Sequence, residues 1–93
     1  MSIRITAVHL VGGVTHQHIE EVKWDTVETS GSGQSSRASI VTWLDTSTTN
    51  VAWVGAGANA VRVHVVRPAV GEPYIQTVAD GQWANNLLSL ARY

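Results

Sequence analysis

Residues 60–67 alternate between two kinds of side chain, and this alternation constrains the fold more than any other feature. The residues expected on one face are Val61, Val63 and Val65, and those expected on the other are Arg62, His64 and Val66. A period of two is typical of a β-strand with one face buried. The rest of the chain must therefore supply neighbouring strands and a layer that covers the valine face.

Further runs rich in β-branched residues supply the neighbouring strands. The predicted strands cover residues 3–10, 15–24, 51–54 and 74–78. Gly12-Gly13 predicts a two-residue hairpin loop, because both positions can take positive φ. Residues 68–73 contain two prolines and predict a turn, and residues 55–59 are interpreted as a hairpin connection.

One helix is predicted after a polar segment. Residues 25–35 are rich in glycine and serine and predict a flexible connection within a single domain, residues 1–93. Ser36 is a good N-cap. The apolar residues that follow on one helical face are Ile40, Trp43 and Leu44. The expected fold class is α+β: a small antiparallel sheet in the order ββαβββ, with one short amphipathic helix packed on one face and the segment 83–93 closing the core.

Charge and cysteine content restrict the function. Six Lys and Arg residues stand against seven Asp and Glu residues, which gives a formal net charge of −1. Because binding to phosphates needs a basic face, this balance disfavours a nucleic-acid partner. The absence of cysteine excludes disulfides and thiolate metal sites. No apolar run reaches the length of a membrane helix and the first residues lack a signal-peptide pattern, so we expect neither a membrane protein nor a secreted one.

Three histidines near the first predicted hairpin are candidates for a metal site. With a two-residue loop, His9 lies opposite His16, and His18 lies on the same face. Three imidazoles can bind Zn²⁺ and leave one coordination position open. A loop one residue longer or shorter moves His9 to the other face, and structural or surface roles are the favoured interpretation. We therefore predict no metal, no cofactor and no catalytic residue.

Aromatic residues near strand ends are the better candidates, for an interface. Tryptophan is rarely fully buried and is enriched at binding hot spots. The candidates are Trp24, Trp53, Trp83 and Tyr74. Asp80-Gly81 and Asn85-Asn86 are interpreted as turn-building residues rather than a catalytic corner.

Several stretches together resemble a known family. They are Arg-Ile-Thr-Ala-Val at 4–8, Thr-His-x-His-Ile at 15–19, the helix with Trp43, Tyr-Ile-Gln-Thr at 74–77, Asp80-Gly81, and Asn-Asn-Leu-Leu-Ser-Leu at 85–90. The chain resembles the small bacterial and phage domain-of-unknown-function family 3892 over nearly its whole length. Residues 25–35 and 55–59 look like insertions, and Ala91 stands where members often have proline. The resemblance implies a bacterial or phage source. The expected location is the bacterial cytoplasm or a phage virion. The family brings no established activity.

These observations predict a non-catalytic protein-interaction or structural module, such as a tail or capsid accessory subunit of a virion. Charged residues make up 14% of the chain, about half the usual share, and a weakly charged surface favours a protein partner or self-association. Two alternatives stay open: a metal-binding or enzymatic domain that uses the histidine cluster, and a nucleic-acid-binding regulator. The register of the first hairpin distinguishes the histidine hypothesis from the others.

Overall fold

The computed structural model describes residues 1–55, 57–79, 82–84 and 86–93, with the backbone alone at 79, 82 and 83. Its elements in chain order are β1 (Ser2–Leu10), β2 (Ile19–Thr26), β3 (Ser32–Ser36), α1 (Arg37–Thr46), β4 (Val51–Val54), β5 (Val61–Val66), β6 (Tyr74–Ala79), β7 (Gln82–Ala84) and β8 (Ala91–Arg92). Short 3-10 turns occupy His16–His18, Gly57–Asn59 and Leu87–Ser89. The predicted α+β class is confirmed, and the predicted order is matched once β3, β7 and β8 are added.

The strands of the described residues form one sheet around β1. The strand order is β3-β2-β1-β4-β5-β6-β7, and β8 also pairs with β1. Most pairings are antiparallel, as predicted, but β1 runs parallel to β4 through Ser2–Arg4 and parallel to β8 through Ala7 and Val8. One edge of β1 is therefore shared by two strands from distant parts of the chain.

Two irregularities in the first strand pair keep apolar side chains on one face. Ile5 pairs with Trp24 and Ala7 pairs with Lys23, so Thr6 is an extra residue in β1. Such a bulge shifts the alternation by one residue. Ile3 and Ile5 before it, and Val8 after it, are consequently all buried. A second shift lies between the pairs His9–Glu21 and Leu10–Ile19. It changes the alternation in β2, so that Ile19 and Val22 are both buried.

The predicted two-residue loop of the first hairpin is wrong. Leu10 pairs with Ile19, so the connection spans residues 11–18. Its second half is a 3-10 turn that replaces the predicted start of the return strand. His18 holds this turn: its Nδ1 accepts from the Thr15 backbone N–H at 3.3 Å and lies 2.8 Å from the Thr15 hydroxyl. Local side-chain hydrogen bonds of this kind compete successfully with a sheet ladder.

The predicted flexible connection at 25–35 is also wrong in part, because β3 begins at Ser32 and pairs with β2. Gly33 lies opposite Trp24, and a Cβ atom at this glycine would be 2.5 Å from the indole Cζ2. The indole Nε1 donates to the Ser35 hydroxyl at 3.1 Å. Gly33 and Ser35 of the edge strand β3 thus make room for Trp24 of β2 and bind its indole N–H.

The helix and the C-terminal segment cover the inner face of the sheet. Ser36 caps α1 by accepting from the Ser39 N–H, as predicted. The helix buries Ile40 and Val41, with Trp43 and Leu44 packed beside them. Leu87 is fully buried, so the C-terminal segment closes the core as predicted. The remaining buried apolar residues are Ile3, Ile5, Val8, Ile19, Val22, Ala52, Val54, Val63 and Ile75. Among the described residues, α1 is too short to qualify as a membrane span and no other helix does.

Candidate functional site

The strand register places two arginines on either side of a tryptophan. Trp53 of β4 pairs with Arg4 of β1 on one side and with Arg62 of β5 on the other. Paired residues of neighbouring strands share one face of a sheet, so the three side chains form a row across the strands. Val78 of β6 continues the row beyond Arg62.

This row belongs to the face opposite the core, which we call the outer face. Its members on β1, β4, β5 and β6 are Arg4, Trp53, Arg62, His64, Val66, Tyr74, Gln76 and Val78. Their neighbours along the strands, including Ile3, Ala52 and Val63, are buried on the inner face. Within the described residues the one α-helix contacts the sheet from that inner side, through Ile40 and Val41.

Trp53 differs from the other described tryptophans in what it contacts. Trp24 and Trp43 pack against the hydrophobic core, whereas Trp53 is not among the residues of that cluster. It is partly exposed on the outer face. A large indole that leaves the core and stays partly in water is the usual state of an interface anchor before its partner binds.

Arg4 is bonded to the turn that follows β4. Its Nε donates to the carbonyl oxygen of Gly55 at 3.0 Å. Gly55 has φ of 84°, and a Cβ there would lie 3.0 Å from the Asn59 carbonyl oxygen, so the turn requires glycine. Arg4, Trp53 and the turn line a cavity of about 270 Å³, together with Val27, Gly57 and Ala60.

The guanidinium groups of this row have no carboxylate partner in the described part of the chain. The ion pairs found there are Arg37–Glu72 and Arg67–Asp45. Asp25 is the register partner of Arg4 on β2, but Arg4 is bonded to Gly55 instead. Arg4 and Arg62 therefore present positive charge beside the partly exposed indole of Trp53.

The other aromatic candidates are placed differently. Tyr74 lies on the outer face, opposite Val66. Trp24 lies on the inner side, where it lines a cleft of about 210 Å³ with Ile40 and Trp43. Trp83 pairs with Val78 through the backbone, and its side chain lies outside the described residues. Thus Trp53 and Tyr74 share one surface and Trp24 does not.

The histidines are not arranged as the two-residue loop predicted. His9 pairs with Glu21, not with His16. Its Nδ1 contacts the Tyr93 carbonyl oxygen. His16 is buried, and burial lowers the pKa of its imidazole. In the described part of the chain, no group of three or more His, Cys, Asp or Glu side chains is placed to hold a metal ion.

Tyr93 joins several charged groups on the first strand pair. Lys23 Nζ lies 4.5 Å from the centre of the Tyr93 ring, and the phenol donates to Glu21 Oε1 at 3.3 Å. Desolvation, together with the Glu21 carboxylate, raises the pKa of the Tyr93 hydroxyl. The ring is 5.5 Å from that of His9, so His9 is part of a packed surface cluster.

The residues near the C-terminus that suggested the family are structural where they are described. Thr77 is fully buried on β6, and its hydroxyl is bonded to Asn86. Leu87 fills the core directly after Asn86. Asp80, Gly81 and Asn85, which we interpreted as turn residues, lie outside the described residues.

Sequence reasoning named Trp53 but missed its two arginine neighbours. Arg4 and Arg62 are 58 positions apart in the chain, and only the parallel pairing of β1 with β4 brings Arg4 to the row. The alternation of residues 60–67 correctly placed Arg62 on the face opposite the valines, as β5 shows. No pattern in the sequence indicated which strand would lie beside it.

In the part of the chain that the structure describes, a sheet with one helix on its inner side and an arginine–tryptophan row on its outer side defines a small α+β domain. The chain belongs to the family described as "Protein of unknown function (DUF3892)", whose sequence model matches residues 4–91. The resemblance found from the sequence is thereby confirmed. Neither a curated protein nor a solved structure matched the chain in the corresponding comparisons.

Proposed function

We propose that this domain is a non-catalytic protein-interaction module that binds its partner through the outer face around Trp53. The observation that carries the proposal is the row formed by Arg4, Trp53 and Arg62. Tryptophan and arginine are the residue types most enriched at the energetic centres of protein interfaces. Here they are neighbours on one rigid surface rather than scattered over loops.

The chemistry of the row supports binding rather than catalysis. Proton transfer at neutral pH needs a group whose pKa lies near 7. Arginine stays protonated and tryptophan does not titrate in this range. These groups can stack on, and donate hydrogen bonds to, a partner that brings planar or anionic groups.

The sheet gives these side chains a fixed geometry before binding. Trp53 lies between two strand neighbours, and Arg4 is further held by its bond to Gly55. A preorganised surface loses less conformational entropy on association than a mobile one. Membership of a virion, as a tail or capsid accessory subunit, stays a prediction from the family resemblance.

The experiment compares three forms of the purified domain: wild type, Trp53→Ala and the matched control Val70→Ala. Val70 is 87% exposed in the turn between β5 and β6, away from the row. Proteins captured from the source cells by the wild-type domain are identified, purified and titrated against all three forms by calorimetry.

We expect the partner to bind the wild type and the control equally, and to bind Trp53→Ala at least ~30-fold more weakly, the hot-spot range. Circular dichroism confirms that all three forms are folded. A reconstituted complex whose affinity is unchanged by Trp53→Ala contradicts the proposal, and so does the absence of any partner at physiological concentrations.

A further inference from the structure

We infer that the partner segment bound by the outer face is an extended acidic peptide with carboxylate side chains at residues i and i+2. This inference rests on the proposed function and names the chemistry of its partner. It is carried by the charge and spacing of Arg4 and Arg62 on either side of Trp53.

Charge complementarity is the first argument. The guanidinium groups of Arg4 and Arg62 have no carboxylate partner in the described part of the chain, where the ion pairs involve Arg37 and Arg67. A guanidinium matches a carboxylate with two parallel hydrogen bonds. Arg4 uses Nε for Gly55 and keeps its terminal NH₂ groups for a partner.

Spacing is the second argument. The two arginines are separated by β4, so their backbones are about 10 Å apart at the usual strand spacing. Side chains at i and i+2 of an extended peptide point the same way and start about 7 Å apart. Long arginine side chains close the remaining difference. The residue between the two carboxylates then lies over the indole of Trp53, where one of its two flat peptide groups can pack on the ring.

The neighbouring charges favour a short acidic peptide over a nucleic acid. Asp25 extends the row on the far side of Arg4. Further along β2, Lys23 lies over the Tyr93 ring and Glu21 accepts a hydrogen bond from the Tyr93 hydroxyl, so Asp25 is the charge closest to the row on this side. A polyanion with evenly spaced phosphates would pass these carboxylates and be repelled. A segment with two acidic residues covers Arg4 and Arg62 and ends before Asp25. The formal net charge of −1 also gives no long-range attraction to nucleic acid.

The test is a ¹H–¹⁵N NMR titration of the full chain with acetyl-Gly-Glu-Ala-Glu-Gly-amide. The Trp53 indole N–H and the Arg4 Nε–H report binding directly, and NMR detects the millimolar affinities expected of a five-residue probe. Gly-Gln-Ala-Gln-Gly with the same end groups is the uncharged control peptide, and a hexamer of deoxythymidine tests the nucleic-acid alternative.

We expect the acidic peptide to shift these two signals, and to bind at least ~5-fold more tightly than the glutamine peptide, the effect of one exposed ion pair or more. Arg4→Gln and Arg62→Gln should each weaken binding ~2- to 5-fold for the same reason. Arg67→Gln is the matched control, because Arg67 is paired with Asp45, and it should leave the affinity unchanged.

Equal binding of the two peptides overturns the inference. Tighter binding of the oligonucleotide overturns it too, and so does an equal loss of affinity in Arg67→Gln. The absence of any shift at about 10 mM peptide, which is tenfold above a millimolar Kd, also overturns it. These results are distinct from failure of the proposed function. If binding of a reconstituted partner depends on Trp53 but the two peptides bind equally, the proposed interface is kept and the acidic peptide is rejected as its ligand. If the partner binds Trp53→Ala as tightly as the wild type, the proposed function itself is contradicted.

Discussion

Thr77 and Asn86 are joined inside the domain: the fully buried Thr77 hydroxyl lies 2.9 Å from Asn86 Oδ1 and accepts from the Asn86 backbone N–H at 3.3 Å. This pair ties β6 to the segment that carries Leu87 into the core. The same threonine and asparagine lie within two of the stretches that resemble the family, residues 74–77 and 85–90.

Replacing the Thr77 hydroxyl by a methyl group tests this tie. Thr77→Val keeps the shape of the side chain but leaves two polar groups of Asn86 without their partner. We expect a loss of about 1–3 kcal/mol in the free energy of unfolding, the usual cost of an unsatisfied buried group. Urea denaturation measures it. The control is Thr48→Val, since Thr48 is exposed in the turn after α1. A loss no larger than that of the control contradicts the role of the pair.

Arg37 at the start of α1 is predicted to stabilise three segments at once. Its Nε donates to the Ile19 carbonyl at 3.1 Å, its Nη1 donates to the Pro73 carbonyl, and its Nη2 lies 3.0 Å from Glu72 Oε2. The arginine side chain is 11% exposed and the glutamate 81%. The carbonyl bonds should therefore matter more than the ion pair.

We expect Arg37→Ala to lower the free energy of unfolding by about 1–3 kcal/mol, since two carbonyl groups lose a charged donor. Glu72→Gln should cost less than about 0.5 kcal/mol, as exposed ion pairs do. Thermal and urea unfolding of both variants give the comparison. If Glu72→Gln proves as costly as Arg37→Ala, the ion pair rather than the carbonyl bonds is what stabilises the helix start.

His16 should make the domain less stable in mild acid. Its Nε2 is buried without a hydrogen-bond partner among the described residues, and burial lowers the pKa of the imidazole. In the unfolded chain a histidine has a pKa of about 6.5. As the pH falls through that value, the imidazole is protonated in the unfolded state but stays neutral in the folded state. Proton binding therefore stabilises the unfolded state, and the free energy of unfolding decreases. Above it, both states are neutral and His16 adds no pH dependence.

Urea unfolding of wild type and His16→Leu at pH 7.5 and 5.5 measures this effect. The variant should lose less stability between the two pH values, because its side chain does not titrate. Gln17→Leu is the control, since Gln17 is exposed in the same 3-10 turn and does not titrate, and it should keep the wild-type dependence. A variant whose pH dependence matches that of the wild type would exclude His16 as the cause.

Gly33 should be intolerant of any side chain because of Trp24. A Cβ at this position would lie 2.5 Å from Cζ2 and 3.0 Å from Cε2 of the indole. Gly33→Ala must displace the ring from its bond to Ser35, and we expect a loss of about 1–3 kcal/mol, as for overpacked sites.

The matched control for Gly33→Ala is Gly31→Ala, where the nearest atom is the Thr26 hydroxyl oxygen at 3.3 Å. Near-ultraviolet circular dichroism reports the tryptophan environment, and urea denaturation reports stability. Equal free energies of unfolding and unchanged spectra for both variants would show that the indole accommodates the added methyl group without loss of stability, contrary to the prediction.

The parts of the fold that follow a local rule were predictable. The alternation in β5 and the capped, one-faced helix with Ile40 and Trp43 depend on residues close in sequence, and the structure has them in place. The fold class followed because a sheet with one apolar face needs a covering layer.

The parts that failed depend on competition between local signals or on distant partners. Gly12-Gly13 is a strong hairpin signal, yet the Thr15–His18 bonds favour a longer connection. The spacing of Ile5 and Val8 breaks a period of two and was the available sign of a bulge. The candidate site needed the parallel pairing of β1 with β4, which no local pattern encodes.

That parallel pairing also fixes the order in which the domain can be assembled on the ribosome. β1 emerges first, but its free edge has to wait for residues 51–54 and then for residues 91–92. Until the last of these is made, the first strand of the domain offers unsatisfied backbone groups to any other chain nearby. The edge of β1, the first strand of the domain, is therefore fully paired only when the last strand, β8, has been made.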